Sequence, residues 1–108
     1  MSTRKNILVT SAGKRVELVK AIKNTVSGIL GPDVKVFTTD MNPIMAPAGY
    51  VSDKCIKVPR VTDESYPQIL RDICDKYSVG LLIPTIDTEL LLLSVLYDEF
   101  KAHGTHIA

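Results

Sequence analysis

Small and basic residues cluster directly after the first apolar run of the sequence, and their types suit the binding of an anion. Ser11, Gly13, Lys14 and Arg15 follow the run at residues 7–9. Small residues permit a sharp turn and the close approach of another group to the backbone. The spacing places Lys14 and Arg15 in the first turn of a helix, where the positive end of the helix dipole disfavours cations. A bound anion beside the free N–H groups would explain both cations, so this turn predicts an anion-binding site.

Further charged residues follow the next two apolar runs. Asp40 and Asn42 come at the end of the second run, and Arg60 follows the third. Each has a purely structural alternative. Asp40 could be a turn residue before the Asn-Pro pair, and Arg60 could be a solvated loop residue. As loop residues at strand ends, both are also candidates for ligand contacts, with Arg60 as a second anion ligand.

Two acids follow the fourth apolar run, at the start of a strongly apolar helix. Asp87 and Glu89 both suit the positive end of that helix dipole, and Asp87 or Thr85 could cap it. Residues two apart point to different sides of a helix. A cap at Asp87 would therefore leave Glu89 facing outward, toward a ligand or toward water.

The elements that must position these residues alternate between strands and helices. Continuous apolar runs are typical of parallel strands that are buried on both faces. We predict strands at residues 7–9, 34–39, 54–58 and 80–84, with a fifth beginning at 105. Helices are predicted at 14–30, 67–77 and 90–103, with a short irregular helix or loop at 43–52. The fold class is therefore α/β, an open parallel sheet of four to five strands with helices on both faces and right-handed crossovers.

The first helix shows a three-to-four spacing of apolar residues, which predicts one buried stripe. Its members are Val16, Val19, Ile22, Val26 and Ile29, widened by Leu18 and Leu30. In open α/β sheets ligands bind beyond the carboxyl ends of the strands. The charged residues all follow such ends, so the sequence predicts one cleft lined by groups of both signs.

Composition limits the classes of function. The chain has 108 residues, 45% hydrophobic and 23% charged, as expected for a single globular domain. A net charge of +1, the lack of Trp and the lack of basic-aromatic interleaving argue against nucleic-acid binding. The most apolar stretch, residues 81–96, is interrupted by a proline and two acids, which argues against a membrane span. Two lone cysteines without C-x-x-C pairing fit a reducing compartment, so a cytoplasmic location is predicted.

The sequence carries no recognisable catalytic machinery of its own. It has no Ser-His-Asp set, no paired catalytic carboxylates and no P-loop. His103 and His106 lack partners at ligand spacing, so no metal site is predicted. A signalling receiver domain would need acidic residues after its first and third strands. This chain has Thr10-Ser11 and Pro59-Arg60 there, so we reject that class. A purely structural interaction domain stays open.

A dinucleotide- or nucleotide-binding Rossmann module is one candidate class for this chain. Asp40 lies where dinucleotide-binding folds hold a ribose hydroxyl. However, the first turn has one glycine where the G-x-G-x-x-G pattern needs three.

Four sequence blocks occur in order along the chain: NILVTSAGKR at 6–15, TDMNP at 39–43, VPRVTD at 58–63 and IPTIDTEL at 83–90. Together they resemble the N-terminal domain of ATP-grasp ligases, and most closely the carbamoyl-phosphate-synthase large-subunit-like group. The resemblance covers essentially the whole chain. The first turn lacks the G-x-G-P character of true carbamoyl-phosphate synthase large subunits, which favours a single-module ligase.

The resemblance implies a Rossmann-like, pre-ATP-grasp sheet in an enzyme that activates a carboxylate as an acyl phosphate for attack by an amine or ammonia. It implies that ATP and Mg²⁺ bind in further domains, so that residues 1–108 are a fragment of a longer enzyme that is inactive and cofactor-free alone. The strand-end loops would form one wall of the substrate site. Gly13, Lys14 and Arg15 would lie beside the substrate or its phosphate, and Glu89, with Asp87 behind it, would hold an amino or hydroxyl group.

The sequence thus predicts a set of substrate-binding residues and no catalytic or metal-binding ones. The set is Ser11, Gly13, Lys14, Arg15, Asp40, Asn42, Arg60, Asp87 and Glu89. The expected partners are a small-molecule substrate and the remaining ATP-grasp domains, with neither nucleic acid nor membrane. The sequence leaves open whether the chain forms a homodimer.

Overall fold

The computed structural model describes residues 4–13, 15–31 and 33–108, except for the side chain of Asp87. The strands are β1 (Asn6–Thr10), β2 (Val36–Asp40), β3 (Lys54–Lys57), β4 (Val79–Pro84) and β5 (His106–Ile107). The helices are α1 (Val16–Ile29), α2 (Pro47–Val51), α3 (Tyr66–Lys76) and α4 (Asp87–Ala102). A 3₁₀ turn at Pro43–Met45 precedes α2, which confirms the short irregular segment predicted there.

All five strands pair in parallel in one sheet with the order β3-β2-β1-β4-β5. At the centre, Leu8 lies beside Phe37 of β2 and Leu82 of β4. The order reverses between β1 and β4, and such a switch point leaves a crevice outside the carboxyl ends of the strands. The predicted fold class, an open parallel α/β sheet, is confirmed.

Neighbouring residues of β1 are buried on opposite faces of the sheet, which explains its uninterrupted apolar run. Leu8 belongs to the core formed with α3 and α4, which includes Leu70, Leu93 and Phe100. Ile7 and Val9 belong to the core on the other face, whose other members include Val19, Val26, Val36 and Ala48. The central strand is therefore covered by protein on both sides.

The buried stripe of α1 is narrower than its spacing predicts. Val19 and Val26 are buried, whereas the side chains of Ile29 and Leu30 are 75% and 61% exposed. Leu18 is exposed as well. Fourteen helical residues span about 21 Å and a five-residue strand about 17 Å. Because the strand is shorter than α1, part of the helix has no strand beside it to bury its apolar residues.

Two helices begin at positions that differ from the prediction. Arg15 is the N-cap of α1 and precedes its first turn. α4 begins at Asp87, three residues before the predicted start, and Ile86 is its N-cap, without a side-chain cap. Thr85, the other predicted cap, precedes the N-cap residue, and its hydroxyl donates to the carbonyl oxygens of Thr10 and Ser11. Within the described ranges, no helix is long and apolar enough to cross a lipid bilayer.

Cys74 of α3 makes the stability of this core sensitive to alkaline pH. Burial raises the pKa of its thiol to about 12, whereas a free thiol titrates near pH 9. The thiol therefore ionises at lower pH in the unfolded chain than in the folded one. The folded state keeps this contribution to its stability in full below about pH 9 and loses it as the pH rises to about 12. The expected contribution is a fall in the free energy of unfolding of up to about 1.4 kcal/mol per pH unit in this window.

Urea titrations of the wild type and Cys74→Ala between pH 8 and 11 test this. We expect the variant, which lacks the thiol, to lose stability less steeply than the wild type. Equal slopes would contradict the prediction.

Candidate functional site

An open cleft of about 410 Å³ lies at the carboxyl edge of the sheet. The turns after β1, β2, β3 and β4 contribute to it, together with the first residues of α3 and α4. Its polar lining includes Ser11, Asp40 and Arg60. Its apolar lining includes Met41, Val58, Pro59, Val61 and Ile86. The cleft can therefore accommodate a small molecule with polar and apolar parts.

Three of the sequence-predicted residues line this cleft, namely Ser11, Asp40 and Arg60. Gly13 lies next to it. A Cβ placed on Gly13 would be 3.8 Å from Oδ2 of Asp40, so the carboxylate faces the turn after β1. The φ of Gly13 is +50°, a conformation that favours glycine.

Two further predicted residues, Asn42 and Arg15, do not line the cleft. Asn42 is exposed outside the lining, and its backbone N–H donates to Oδ1 of Asp40 at 2.8 Å. Arg15 is exposed at the N-cap of α1 and does not line the cleft. Lys14 and the side chain of Asp87 lie outside the described part of the chain. An anion-binding role for Lys14 and Arg15 stays a prediction.

Glu89 is fully buried, with 0% exposure, beneath the Ser11 side of the cleft. Its Oε1 accepts a hydrogen bond from the Thr10 hydroxyl, and its Oε2 accepts bonds from the Ser11 hydroxyl at 3.1 Å and the Tyr66 phenol. We call these four residues the Glu89 cluster. Among the described residues, no Lys, Arg or His forms an ion pair with Glu89. Three hydroxyl donors and the amino end of α4 stabilise the carboxylate instead.

The expectation that Glu89 faces outward is wrong. Because α4 begins at Asp87, Glu89 is its third residue, and helical side chains in the first turn lean back toward the helix N-terminus. Here that direction leads to the end of β1. Glu89 thus contacts protein hydroxyls in this structure.

Tyr66 was not among the predicted residues, although it links the cluster to the cleft. It is the first residue of α3, is fully buried and contributes to the cleft lining. Burial, and then the negative charge of Glu89, raise the pKa of its phenol well above the usual value. The phenol therefore stays protonated and donates to Glu89 across the ordinary pH range.

Threonines hold the turn after β1 in place. The backbone N–H of Ser11 donates to Oγ1 of Thr39 at 3.1 Å. The Thr85 hydroxyl lies 2.9 Å from the carbonyl oxygen of Thr10 and 2.8 Å from that of Ser11. Ser11 itself has a φ of +54°, which is uncommon for a residue with a side chain. The occurrence of threonine at or next to the ends of three strands (residues 10, 39 and 85) is the sequence signal that could have indicated this network.

The described residues include no group of three or more His, Cys, Asp or Glu side chains that could hold a metal ion. The chemistry that the cleft offers is hydrogen bonding and charge. Asp40 supplies a carboxylate, Arg60 a guanidinium and Ser11 a hydroxyl. These groups can bind and orient a small polar ligand.

A parallel sheet of this strand order, with its cleft at the switch point, defines a Rossmann-like α/β domain. The family model described as "PylC-like, N-terminal domain" matches residues 7–108. The chain belongs to this family of N-terminal, pre-ATP-grasp domains of ATP-grasp ligases. This confirms the predicted kinship with ATP-grasp ligases, whereas the carbamoyl-phosphate-synthase-like subtype stays a prediction. A comparison with curated proteins gives no match.

Proposed function

We propose that this chain is the N-terminal, substrate-side domain of an ATP-dependent carboxylate–amine or carboxylate–ammonia ligase that works through an acyl phosphate. The observation that carries the proposal is the cleft, which combines Asp40, Arg60 and Ser11 at the sheet edge of a domain from an ATP-grasp ligase family. In this proposal ATP and Mg²⁺ bind in other domains of the parent enzyme. The present domain supplies one wall of the substrate site and no catalytic group.

The charges of the cleft suit the reactants of such a ligase. The guanidinium of Arg60 can bind a carboxylate or a phosphoryl group through two parallel hydrogen bonds. Asp40 can accept hydrogen bonds from an amine on the same ligand or on the second substrate. The apolar residues Val58, Val61 and Ile86 would contact the hydrocarbon part.

Lys14, Arg15 and Asn42 keep a secondary place in this proposal. Arg15 does not line the cleft and would reach an anion only where the ligand or a neighbouring domain extends beyond it. A contribution of Lys14 to the same anion stays a prediction. Asn42 supports Asp40 through its backbone N–H.

Trapping of the acyl phosphate tests the reaction class. The parent enzyme, expressed from the full coding sequence that contains this domain, would be incubated with ATP, Mg²⁺, hydroxylamine and a panel of carboxylates. Hydroxylamine intercepts acyl phosphates as hydroxamates, which are detected as coloured iron complexes. We expect hydroxamate and ADP in equal amounts with at least one carboxylate, and none from residues 1–108 alone. A stop codon directly after Ala108, or ADP release without hydroxamate, would contradict the proposal.

Replacing Arg60 with Ala is expected to weaken anion binding in the cleft. Inorganic phosphate is the probe, and amide chemical shifts of the 108-residue chain report its binding near Val61 and Thr62. Loss of a charge-assisted contact corresponds to a roughly tenfold weaker affinity. Lys20→Ala, which removes an exposed cation from α1, serves as the control and should leave the affinity unchanged. Equal affinity in wild type and Arg60→Ala would argue against an anion-binding role of Arg60.

A dinucleotide- or nucleotide-binding module without ligase activity is a second candidate, because the Asp40 carboxylate faces the turn after β1. Dinucleotide-binding folds use an acid in that place to bind a ribose hydroxyl. Calorimetric titration with NADH distinguishes the nucleotide-binding candidate from the ligase-domain proposal. The ligase proposal expects no micromolar binding, whereas micromolar binding would favour the second candidate.

A further inference from the structure

Ser11 is a half-buried residue of the cleft whose hydrogen-bond donors are all used inside the protein. Its backbone N–H donates to Thr39, and its hydroxyl donates to Oε2 of Glu89 at 3.1 Å. Its carbonyl oxygen already accepts the hydroxyl of Thr85. A serine hydroxyl has one hydrogen and two lone pairs. Only the lone pairs of Oγ are therefore left for a ligand.

Glu89 fixes the direction of that hydroxyl. A carboxylate can only accept hydrogen bonds, so every hydroxyl of the cluster must donate to it. Thr10 and Tyr66 are both fully buried, and their hydroxyls also donate to Glu89. If the Ser11 hydrogen turned toward the cleft, the buried carboxylate would lose one of its three donors. Such a loss is unfavourable for a buried charge.

Asp40, the carboxylate that lines the same cleft, can likewise only accept hydrogen bonds. Asp40 accepts the backbone N–H of Asn42 on Oδ1, and as a carboxylate it has no hydrogen to donate. Ser11 and Asp40 thus both face a ligand as acceptors. Arg60, which can only donate, also lines the cleft and comes from the segment after β3.

We propose that Glu89 is a positioning residue that determines specificity. By holding the Ser11 hydrogen, it makes the Ser11–Asp40 side of the cleft accept hydrogen bonds only, which selects a ligand that presents a donor there, best a protonated amine. Glu89 itself stays out of contact with the ligand. The inference rests on the proposed function only in that it takes the cleft as the substrate-binding surface.

Glu89→Gln reverses this polarity while keeping the shape of the side chain. With its amide nitrogen in the place of Oε2, Gln can donate both hydrogens, one to Ser11 and one to Tyr66, while Thr10 still donates to the remaining oxygen. The opposite orientation leaves the Thr10 hydrogen and one amide hydrogen unpaired in a buried site. The first orientation removes the acceptor of the Tyr66 hydrogen only, and that hydrogen can turn to Oγ of Ser11, which is within hydrogen-bond reach of the phenol, so the first orientation is favoured. In that orientation the Ser11 hydrogen is released to the cleft, and Ser11 becomes able to donate to a ligand.

Two probe molecules of similar shape distinguish the wild-type cleft, in which Ser11 can only accept, from the Glu89→Gln cleft, in which Ser11 can donate. Isobutylammonium has donors only, and 3-methylbutan-2-one is a neutral molecule with an acceptor only. Their binding to the isotope-labelled 108-residue chain is followed through the amide shifts of Ser11 and Asp40. In the wild type we expect isobutylammonium to shift both residues and the ketone to shift neither. In Glu89→Gln we expect about tenfold weaker ammonium binding and new shifts of Ser11 with the ketone.

The ketone is the decisive probe, because it carries no charge and is insensitive to the charge that the substitution removes. Glu99→Gln, the same change on an exposed residue of α4, should behave as wild type. Ketone binding at Ser11 in the wild type, or an unchanged preference in Glu89→Gln, would overturn the inference.

A further variant keeps the test valid if Glu89→Gln does not fold. Ser11→Gly removes the hydroxyl and suits the positive φ of this residue. It should weaken isobutylammonium binding at least fivefold, and unchanged binding would again overturn the inference. None of these measurements involves ATP. Failure of the ligase proposal in the hydroxamate assay is therefore distinguishable from failure of this one.

Discussion

Replacing Glu89 with Ala is expected to lower the free energy of unfolding by about 3–5 kcal/mol. Thr10 and Tyr66 are fully buried and would lose the acceptor of their hydroxyl hydrogens. Each buried donor left unsatisfied costs about 1–3 kcal/mol, and the cavity left by the side chain adds to this loss. Since domains of this size are stable by about 5–15 kcal/mol, the variant should be close to unfolding at 37 °C.

Urea denaturation followed by far-ultraviolet circular dichroism measures this effect. Glu99→Ala is the matched control, because it truncates the same residue type on the same helix at a partly exposed ion pair with Arg71. Exposed ion pairs contribute about 0–1 kcal/mol, so the control should change stability by less than about 1 kcal/mol. A loss of similar size in both variants would show that the Glu89 cluster is not a special source of stability.

Gly80→Ala is expected to destabilise the fold by about 2–4 kcal/mol, since overpacking against backbone cannot be relieved by a side-chain rotation. A Cβ on Gly80 would lie 2.5 Å from the carbonyl oxygen of Arg4 and 3.0 Å from its carbonyl carbon. Gly80 is the residue of β4 that has no partner on β1, because Asn6 pairs with Val79 and Ile7 pairs with Leu81. The missing side chain thus allows the irregularity at which these central strands begin to pair.

Gly28→Ala provides the control for Gly80→Ala. Gly28 lies within α1, and nothing outside the helix backbone comes within 4 Å of a Cβ placed on it. Alanine is favoured over glycine in a helix by about 0.5–1 kcal/mol, so this variant should be slightly more stable than wild type. Thermal melts of both variants give the comparison. If Gly80→Ala melts at the wild-type temperature, the close approach of Arg4 has no energetic consequence.

The strands were predictable because burial on both faces leaves a signal in each strand by itself. β1 and β4 show uninterrupted apolar runs, and both lie in the middle of the sheet. The carboxyl-edge position of Ser11, Asp40 and Arg60 follows from the same alternation of strands and helices. That part of the candidate site required no knowledge of side-chain contacts.

The direction of Glu89 was not predictable from the sequence, because it depends on where α4 begins. A start at residue 90 would put Glu89 in the preceding turn, whereas the actual start at Asp87 points it at the end of β1. The difference is a single helical turn. Tyr66 was missed for a related reason, since its phenol meets Glu89 across 23 residues of sequence, and an aromatic residue at the start of a helix gives no sign of a polar contact.

The bonds of Thr85 have a consequence for the thermodynamics of ligand binding. Its hydroxyl joins the segment after β4 to the two carbonyl groups at the end of β1, and Glu89 joins the same two segments a second time. Both loops are thus held in one arrangement before any guest molecule arrives. These two loops therefore lose little conformational entropy when a ligand binds beside them, so even a small ligand with few contacts can bind with appreciable affinity.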